Sequence, residues 1–348
     1  MNILYGVPGE GMGHATRSKV VIDHLLKSHN VQVVSSSRAF LFLDTVFPGR
    51  VHEIKGFHLV YKNAQVSKGA TFLLNLKSAA GNILHNFSSY LLIHKSFVPD
   101  LVISDFESFA YVFAKQHHIP IISIDNMQVM NRCTLGIDIP KIEKHNFSLA
   151  KTIVKSKLPG CRHYYVSSFF DAEIRKKNTT LVPPIIREVI LNAKVSSGKH
   201  LLVYQTSVSL TTISGVLQQF PDIPFIVYGF GKDETHGNVV FKSFSESGFV
   251  KDLASAKAVI ANGGYSFISE AVYLQKPIYS FPIKNQFEQF VNSYYVDKCG
   301  YGRHFDDLTA DNLKAFLYDQ NLFKKNLLKY RQDGNTVLFS LLEKALTI

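Results

Sequence analysis

Three short stretches hold side chains whose types and spacing could do chemistry. The first is "GVPGEGMGHATRS", Gly6 to Ser18, directly after the apolar run "NILY". Glycines between a strand and a helix usually cradle a phosphate, yet this cluster ends in Gly13-His14. A dinucleotide fingerprint needs a third glycine where His14 stands, and the next strand, "VQVVSSSR", ends in Ser and Arg instead of a ribose-binding acid. No Gly-Lys-Ser/Thr follows, so the loop is not a Walker A motif either. Small residues there still allow a ligand to approach closely, at the carboxyl edge of a sheet where open α/β folds bind ligands. An imidazole ordinarily titrates near neutrality and suits general-base work. A loop or helix-cap histidine without a chemical role fits the position equally well.

The second stretch is "AVIANGGYSFISEAVYLQKPIYSFP". A buried strand runs into Asn262-Gly263-Gly264, and a helix follows. Gly263 and Gly264 let a diphosphate reach the backbone, and the helix start offers N–H groups and about half a positive charge. Glu270 lies four residues after Ser266, one turn on and on the same face, within reach of a pair of ribose hydroxyls. The third stretch is "FPIKNQFEQFVNS". Its neighbouring Glu288 and Gln289 suit bidentate hydrogen bonds to vicinal sugar hydroxyls, although a solvated helix start explains them as well.

Such residues need strands to end where they begin. Short apolar runs alternate with helical patterns: "NILYGV", "VQVVSS", "DLVISD", "IPIISID" and "HYYVSS", then "HLLVYQT", "PFIVYGF", "VVFKSF", "AVIAN" and "PIYSFP". Several are continuous instead of alternating, as expected of parallel strands buried on both faces. Their spacing implies βαβ units with right-handed crossovers. Pro183 and Pro184 in "TTLVPPIIREV" break the pattern, and a fresh strand–turn–helix opening follows them. The expected organisation is a Rossmann-like domain over 1–182, a second over 183–325, and a terminal helix over 326–348 packing back on the first. The two doubly wound domains are expected to face each other across a cleft.

At 348 residues the chain has room for two domains, and 46% apolar with 19% charged residues is ordinary for a globular enzyme. Three widely spaced cysteines without a CxxC argue against structural zinc or a disulfide framework and for a reducing compartment. No basic n-region with an apolar stretch opens the chain, and no apolar run reaches the roughly 20 residues that span a bilayer. A cytoplasmic protein is expected. The net charge of +11 is dispersed and carries no nucleic-acid recognition pattern. With the apolar segment 71–97, it suggests contact with an anionic membrane surface on the inner face of the cell.

Taken together, Gly-x-Gly-x-Gly-His, Asn-Gly-Gly-x-Ser-x-x-x-Glu and Glu-Gln-x-x-Asn resemble the GT-B glycosyltransferases of the MurG and UDP-glycosyltransferase type, in the right order across both domains. The resemblance implies hexosyl transfer from a UDP-sugar, or another nucleoside-diphosphate sugar, held mainly by the second domain. Gly263, Gly264 and Ser266 would lie on the diphosphate, Glu270 on the ribose, and Glu288 and Gln289 on the transferred sugar. Ser207 in "YQTS" matches a second turn near the phosphates. Phe249 and Val250 in "SGFVKDL" match a segment that reads the base through backbone groups. His14 matches the histidine at the donor–acceptor junction, the catalytic base, and Gly13 before it would be among the donor-binding residues. Asp105 is the first choice for the acid that orients it, and Glu107 and Asp125 are further candidates for acceptor binding; helix capping competes for each.

The loop departs from MurG, with Glu10 and Met12 where that enzyme has glycines, so MurG's own substrates do not transfer. The implied reaction is inverting and needs no cofactor and no metal, in line with the absence of an Asp-x-Asp sequence. The acceptor would be a glycan, lipid-linked or small-molecule hydroxyl, with a cell-envelope glycan foremost. A nucleotide-sugar 2-epimerase of the same fold and a non-catalytic sugar-nucleotide-binding partner are the competing readings.

Overall fold

The computed structural model describes residues 1–9, 11–56, 61–62, 65–66, 86, 88–205 and 210–347. Ser207 and most of the apolar segment 71–97 lie outside them. The chain divides into two compact units. The first comprises Met1–Lys62, Val66–Ile185 and Gly334–Ile348, and the second comprises Asn63–Gln65 and Ile186–Asp333.

The first unit is built on a parallel sheet of β1 (Asn2–Gly6), β2 (Asn30–Ser35), β3 (Val51–Glu53), β4 (Leu101–Ser104), β5 (Ile121–Asp125), β6 (His163–Ser167) and β7 (Thr179–Val182). Their order is β7-β6-β5-β4-β1-β2-β3, so the sheet winds outward in both directions from β1 and β4. Strands β4 and β5 are buried at every residue, so their apolar residues occupy both faces and the polar Ser104, Ser123 and Asp125 are buried with them. Helices α1 (Met12–Leu25), α2 (Ser37–Val46), α3 (Ser108–Gln116) and α4 (Lys144–Lys157) belong to this unit.

The second unit repeats the plan with β8 (Leu201–Tyr204), β9 (Phe225–Tyr228), β10 (Glu234–His236), β11 (Val239–Phe241), β12 (Ala258–Ala261), β13 (Ile278–Ser280) and β14 (Gly302–His304). The order is β10-β11-β9-β8-β12-β13-β14, parallel except for β10. Its helices include α5 (Leu210–Leu217), α6 (Glu246–Ser255), α7 (Tyr265–Tyr273), α8 (Phe287–Lys298) and α9 (Ala310–Leu327).

The last helix, α10 (Thr336–Leu346), returns to the first unit. Leu338 and Leu342 enter its core beside Ile3, Val21 and Tyr165. Four residues apart, the two leucines share one helix face, and burying them stabilises the unit by about 1.5–3 kcal/mol each. His24 stacks on Phe339 with ring centroids 3.9 Å apart and bonds Glu343 at 2.9 Å, which fixes the helix in register.

Candidate active site

In the first unit, neighbouring strands β1, β4 and β5 deliver their following loops to one sheet edge. The turn after β1 is tight because Gly6 and Gly9 face protein. A methyl group at Gly6 would stand 2.7 Å from Ala110 Cβ, and one at Gly9 would stand 2.2 Å from Ser36 Oγ. Gly11, with φ of 82°, turns the chain into α1. The loop thus spends these glycines on its own packing and puts His14 in the first turn of α1.

Asp105 directly follows β4, and its amide continues the ladder to Gly6 O at 2.9 Å. It is 1% exposed, yet every carboxylate oxygen is engaged. Arg17 Nε donates to Oδ2 at 2.8 Å, Arg17 NH2 to Oδ1 at 2.5 Å, and Ser18 Oγ to Oδ2 at 3.0 Å. Burial alone would push the carboxyl up; the Arg17 guanidinium and His14 outweigh it and hold Asp105 well below the usual carboxylate range. His14 Nδ1 lies 3.1 Å from Asp105 Oδ1 and 2.7 Å from Arg17 NH2. Arg17 NH1 donates to Asn126 Oδ1, just past β5, at 2.6 Å. Residue 106 makes the turn possible: Phe106 takes φ of 62°, and Lys157 Nζ holds its carbonyl at 3.0 Å. That left-handed turn sends Asp105 toward α1 and Glu107 toward α3.

The structure revises the expectation for the two other acids. Both oxygens of Glu107 accept backbone N–H groups at the start of α3, Phe109 and Ala110 at 2.7 Å, so it is a helix cap and not an acceptor contact. Asp125 is wholly buried, accepting Ser123 Oγ at 2.6 Å and Gln128 N at 2.8 Å, so no acceptor reaches it. Burial, with the Asp105 charge adding to it, pushes Asp125 up to about 6 from 3.8. A raised carboxyl favours the protonated native state, so its stabilisation is complete below pH ~4 and is lost as pH rises through 6, by about 3 kcal/mol. The stability of Asp125→Asn relative to the parent is therefore expected to grow by about that amount between pH 4 and 7 in urea denaturation. A constant difference across that range would mean that Asp125 titrates normally.

In the second unit, β12 ends at Ala261 and Gly264 caps α7 without any side-chain cap. Gly263 packs against α8: a methyl group on it would stand 2.2 Å from Gln289 O, and Asn292 Nδ2 donates to Gly263 O at 2.9 Å. A methyl group on Gly264 would meet nothing within 4 Å, and its φ of −65° is open to any residue. Ser266 stands in the first turn of α7, one turn before Glu270. Both Glu270 oxygens accept from Arg187, at 2.6 Å from Nε and 2.8 Å from NH2, and Arg187 NH1 also donates to Glu246 at 2.8 Å. The nearby Tyr204 phenol feels both charges.

Two further expectations change here. Phe249 and Val250 sit inside α6, where the Phe249 amide is spent on Ser245 O at 2.9 Å, so the helix leaves no amide there for a base. The Phe249 ring instead anchors an aromatic cluster with Tyr204, Tyr228 and Phe267. Gln289 bonds the Ile283 amide through Oε1 at 3.0 Å and Gln286 through Nε2, so its side chain braces the turn into α8. Glu288 stands half-buried in the first turn of α8.

Sequence reasoning missed Arg17, Arg187 and Phe244. Phe244 follows β11 with 61% exposure, its ring 5.5 Å from Phe249, an apolar face turned to solvent. An Arg three residues after His14 on one helix, and a Glu as the lone charge on α7, were the available signals for the first two.

A protein of Methanosarcina mazei described as an uncharacterized glycosyltransferase is 26% identical, with 87% of this chain and 85% of that protein covered. Phytolacca americana UGT2, solved with UDP-2fluoro-glucose and pterostilbene, matches with a TM-score of 0.69 at 12% identity, covering 100% of this chain and 99% of that one. Acinetobacter baumannii MurG matches with a TM-score of 0.61 at 13% identity, covering 99% of each. These structures share the fold, the GT-B type expected from the sequence motifs. Residues 1–320 match the family described as Glycosyl transferase family 1. The chain belongs to that family and is a glycosyltransferase.

Proposed function

We propose that the chain moves a sugar from a nucleoside-diphosphate sugar, a UDP-sugar in the first instance, to an acceptor hydroxyl with inversion and without a metal ion. The observation that carries this reading is Gly264. Neither its backbone angles nor its protein neighbours require a glycine, whereas a diphosphate on the start of α7 would. There the helix N-terminus stabilises the departing nucleoside diphosphate, the task a divalent ion performs elsewhere. Ser266 adds a hydroxyl to the diphosphate, and Glu270, held by Arg187, accepts from the ribose through its remaining lone pairs. Phe244 offers a stacking face for the base, and Glu288 contacts the transferred sugar. The Phytolacca protein's UDP-2fluoro-glucose supports this class of donor.

The first unit supplies the base. His14 Nδ1 is taken up by Asp105 and Arg17, and among the described residues nothing hydrogen-bonds Nε2, the nitrogen left for an acceptor hydroxyl. Nε2 takes the proton as that oxygen attacks the anomeric carbon from the side opposite the leaving group, which inverts the configuration. The acceptor is a lipid-linked or cell-envelope glycan, and the net charge of +11 favours its location on an anionic, cytoplasmic membrane face. Among the described residues no helix is long and apolar enough to cross a membrane.

Binding of UDP and of its 2′-deoxy analogue, followed by thermal shift, tests the donor assignment. The parent is expected to favour UDP about tenfold or more, the worth of a hydrogen bond to a charged acceptor, and Glu270→Gln to lose most of that preference. No stabilisation by any nucleoside diphosphate would overturn the reading. Isomerisation of a nucleotide sugar incubated alone would replace transfer with epimerisation.

A further inference from the structure

We infer that Arg17 is a positioning residue that holds resting His14 in the tautomer with its proton on Nε2, so that the base must be unlocked before it can act. The inference rests on His14 being the base of the reaction proposed above.

The argument turns on one nitrogen claimed by two groups. Asp105 Oδ1 can only accept, so a bond with His14 Nδ1, 3.1 Å away, needs a proton on Nδ1. The Arg17 guanidinium can only donate, so its NH2, 2.7 Å from the same nitrogen, needs a lone pair there. A neutral imidazole satisfies one of them at a time. Both bonds are charge-assisted, and the geometry favours Arg17, whose approach is the closer, 2.7 Å against 3.1 Å. Asp105 loses little by yielding Nδ1, because Arg17 Nε, Arg17 NH2 and Ser18 Oγ already supply it with three donors.

Arg17 itself has little freedom to withdraw. It is 4% exposed, and Nε, NH1 and NH2 are tied to Asp105 and Asn126, which follow adjacent strands of one sheet. With Nδ1 as acceptor, the ring's single proton sits on Nε2. An N–H there cannot deprotonate an alcohol or a water molecule, so this form is unable to spend donor on hydrolysis. The base-competent form differs only in the proton's place: one proton leaves Nε2 for solvent and one reaches Nδ1, where it turns to Asp105 Oδ1. No net charge is gained or lost in the exchange.

Nitrogen-15 NMR of the full chain labelled at histidine reads the tautomer directly, with His14→Gln assigning the signal. At a pH where the ring is neutral, the free parent is expected to show an unprotonated, pyridine-type Nδ1 and a protonated Nε2. Arg17→Lys keeps the charge, but one ammonium cannot serve Asp105, Asn126 and Nδ1 together. In that variant the signals are expected to shift toward a protonated Nδ1. A protonated Nδ1 in the free parent overturns the inference, and that measurement needs only His14→Gln, a change at a partly exposed side chain, to fold. An Arg17→Lys spectrum identical to the parent's also overturns it. Neither outcome bears on whether His14 is the base, which is decided by the activity of His14→Ala.

Discussion

His14→Ala is expected to lower transfer by about 10²–10⁴ while leaving UDP affinity and the melting temperature close to the parent's. The loss is the value of a positioned general base, because nothing else in the first turn of α1 can take the acceptor's proton. The groups proposed to hold the donor lie in the second unit, so binding is expected to survive. His14 is the right member of the cluster to remove. Asp105→Asn would leave the buried Arg17 guanidinium without its counter-charge, and breaking a buried pair in this way costs about 3–5 kcal/mol. A fall in activity there would mix chemistry with unfolding. His14 is partly exposed, and its removal leaves the Arg17–Asp105 fork intact. Single-turnover transfer by folded His14→Ala at more than a third of the parental rate would place the base elsewhere.

How much of this was legible depends on burial. Each expected strand run is present, because central parallel strands must be apolar on both faces and leave a continuous signal. Within the two seven-stranded sheets, the strands that escaped notice, Val51–Glu53, Thr179–Val182, Glu234–His236 and Gly302–His304, are the edge strands. They span three or four residues and are partly exposed, so neither length nor alternation marks them. Thr179–Val182 was further disguised by the Pro183-Pro184 pair, which ends the strand but reads as a domain break.

The site divides along a similar line. Local turns such as Gly263-Gly264 and the position of His14 on its helix are properties of a few consecutive residues. Partners are not. Arg187 meets Glu270 across 83 positions and Arg17 meets Asp105 across 88. Periodicity contains no term for such pairs; only the cost of burying a carboxylate unpaired hints that each must exist. The same blindness produced the errors at Glu107, Asp125 and Gln289. A carboxylate or amide free to meet a ligand and one spent on a backbone N–H have the same letter in the sequence.

The glycine pair at the start of α7 yields the other large effect, since adjacent and chemically identical residues are expected to fail differently. Gly263→Ala places a methyl group 2.2 Å from Gln289 O and 2.7 Å from Gln289 C. These are backbone atoms of α8, which cannot swing aside as a side chain would. Relief requires α8 to move and strains the Asn292–Gly263 bond, so a loss of roughly 1–3 kcal/mol is expected, the usual cost of overpacking. Gly264→Ala meets no protein atom and adopts an ordinary φ, so its only expected cost is that of alanine as the poorer N-cap, about 1 kcal/mol or less. If the diphosphate lies on this backbone, the added methyl group occupies its place, and UDP affinity should fall by about tenfold or more, about 1.4 kcal/mol. Calorimetric melting paired with UDP titration separates the two variants. A Gly264→Ala protein that binds UDP like the parent would remove the diphosphate from the start of α7, and the donor site with it.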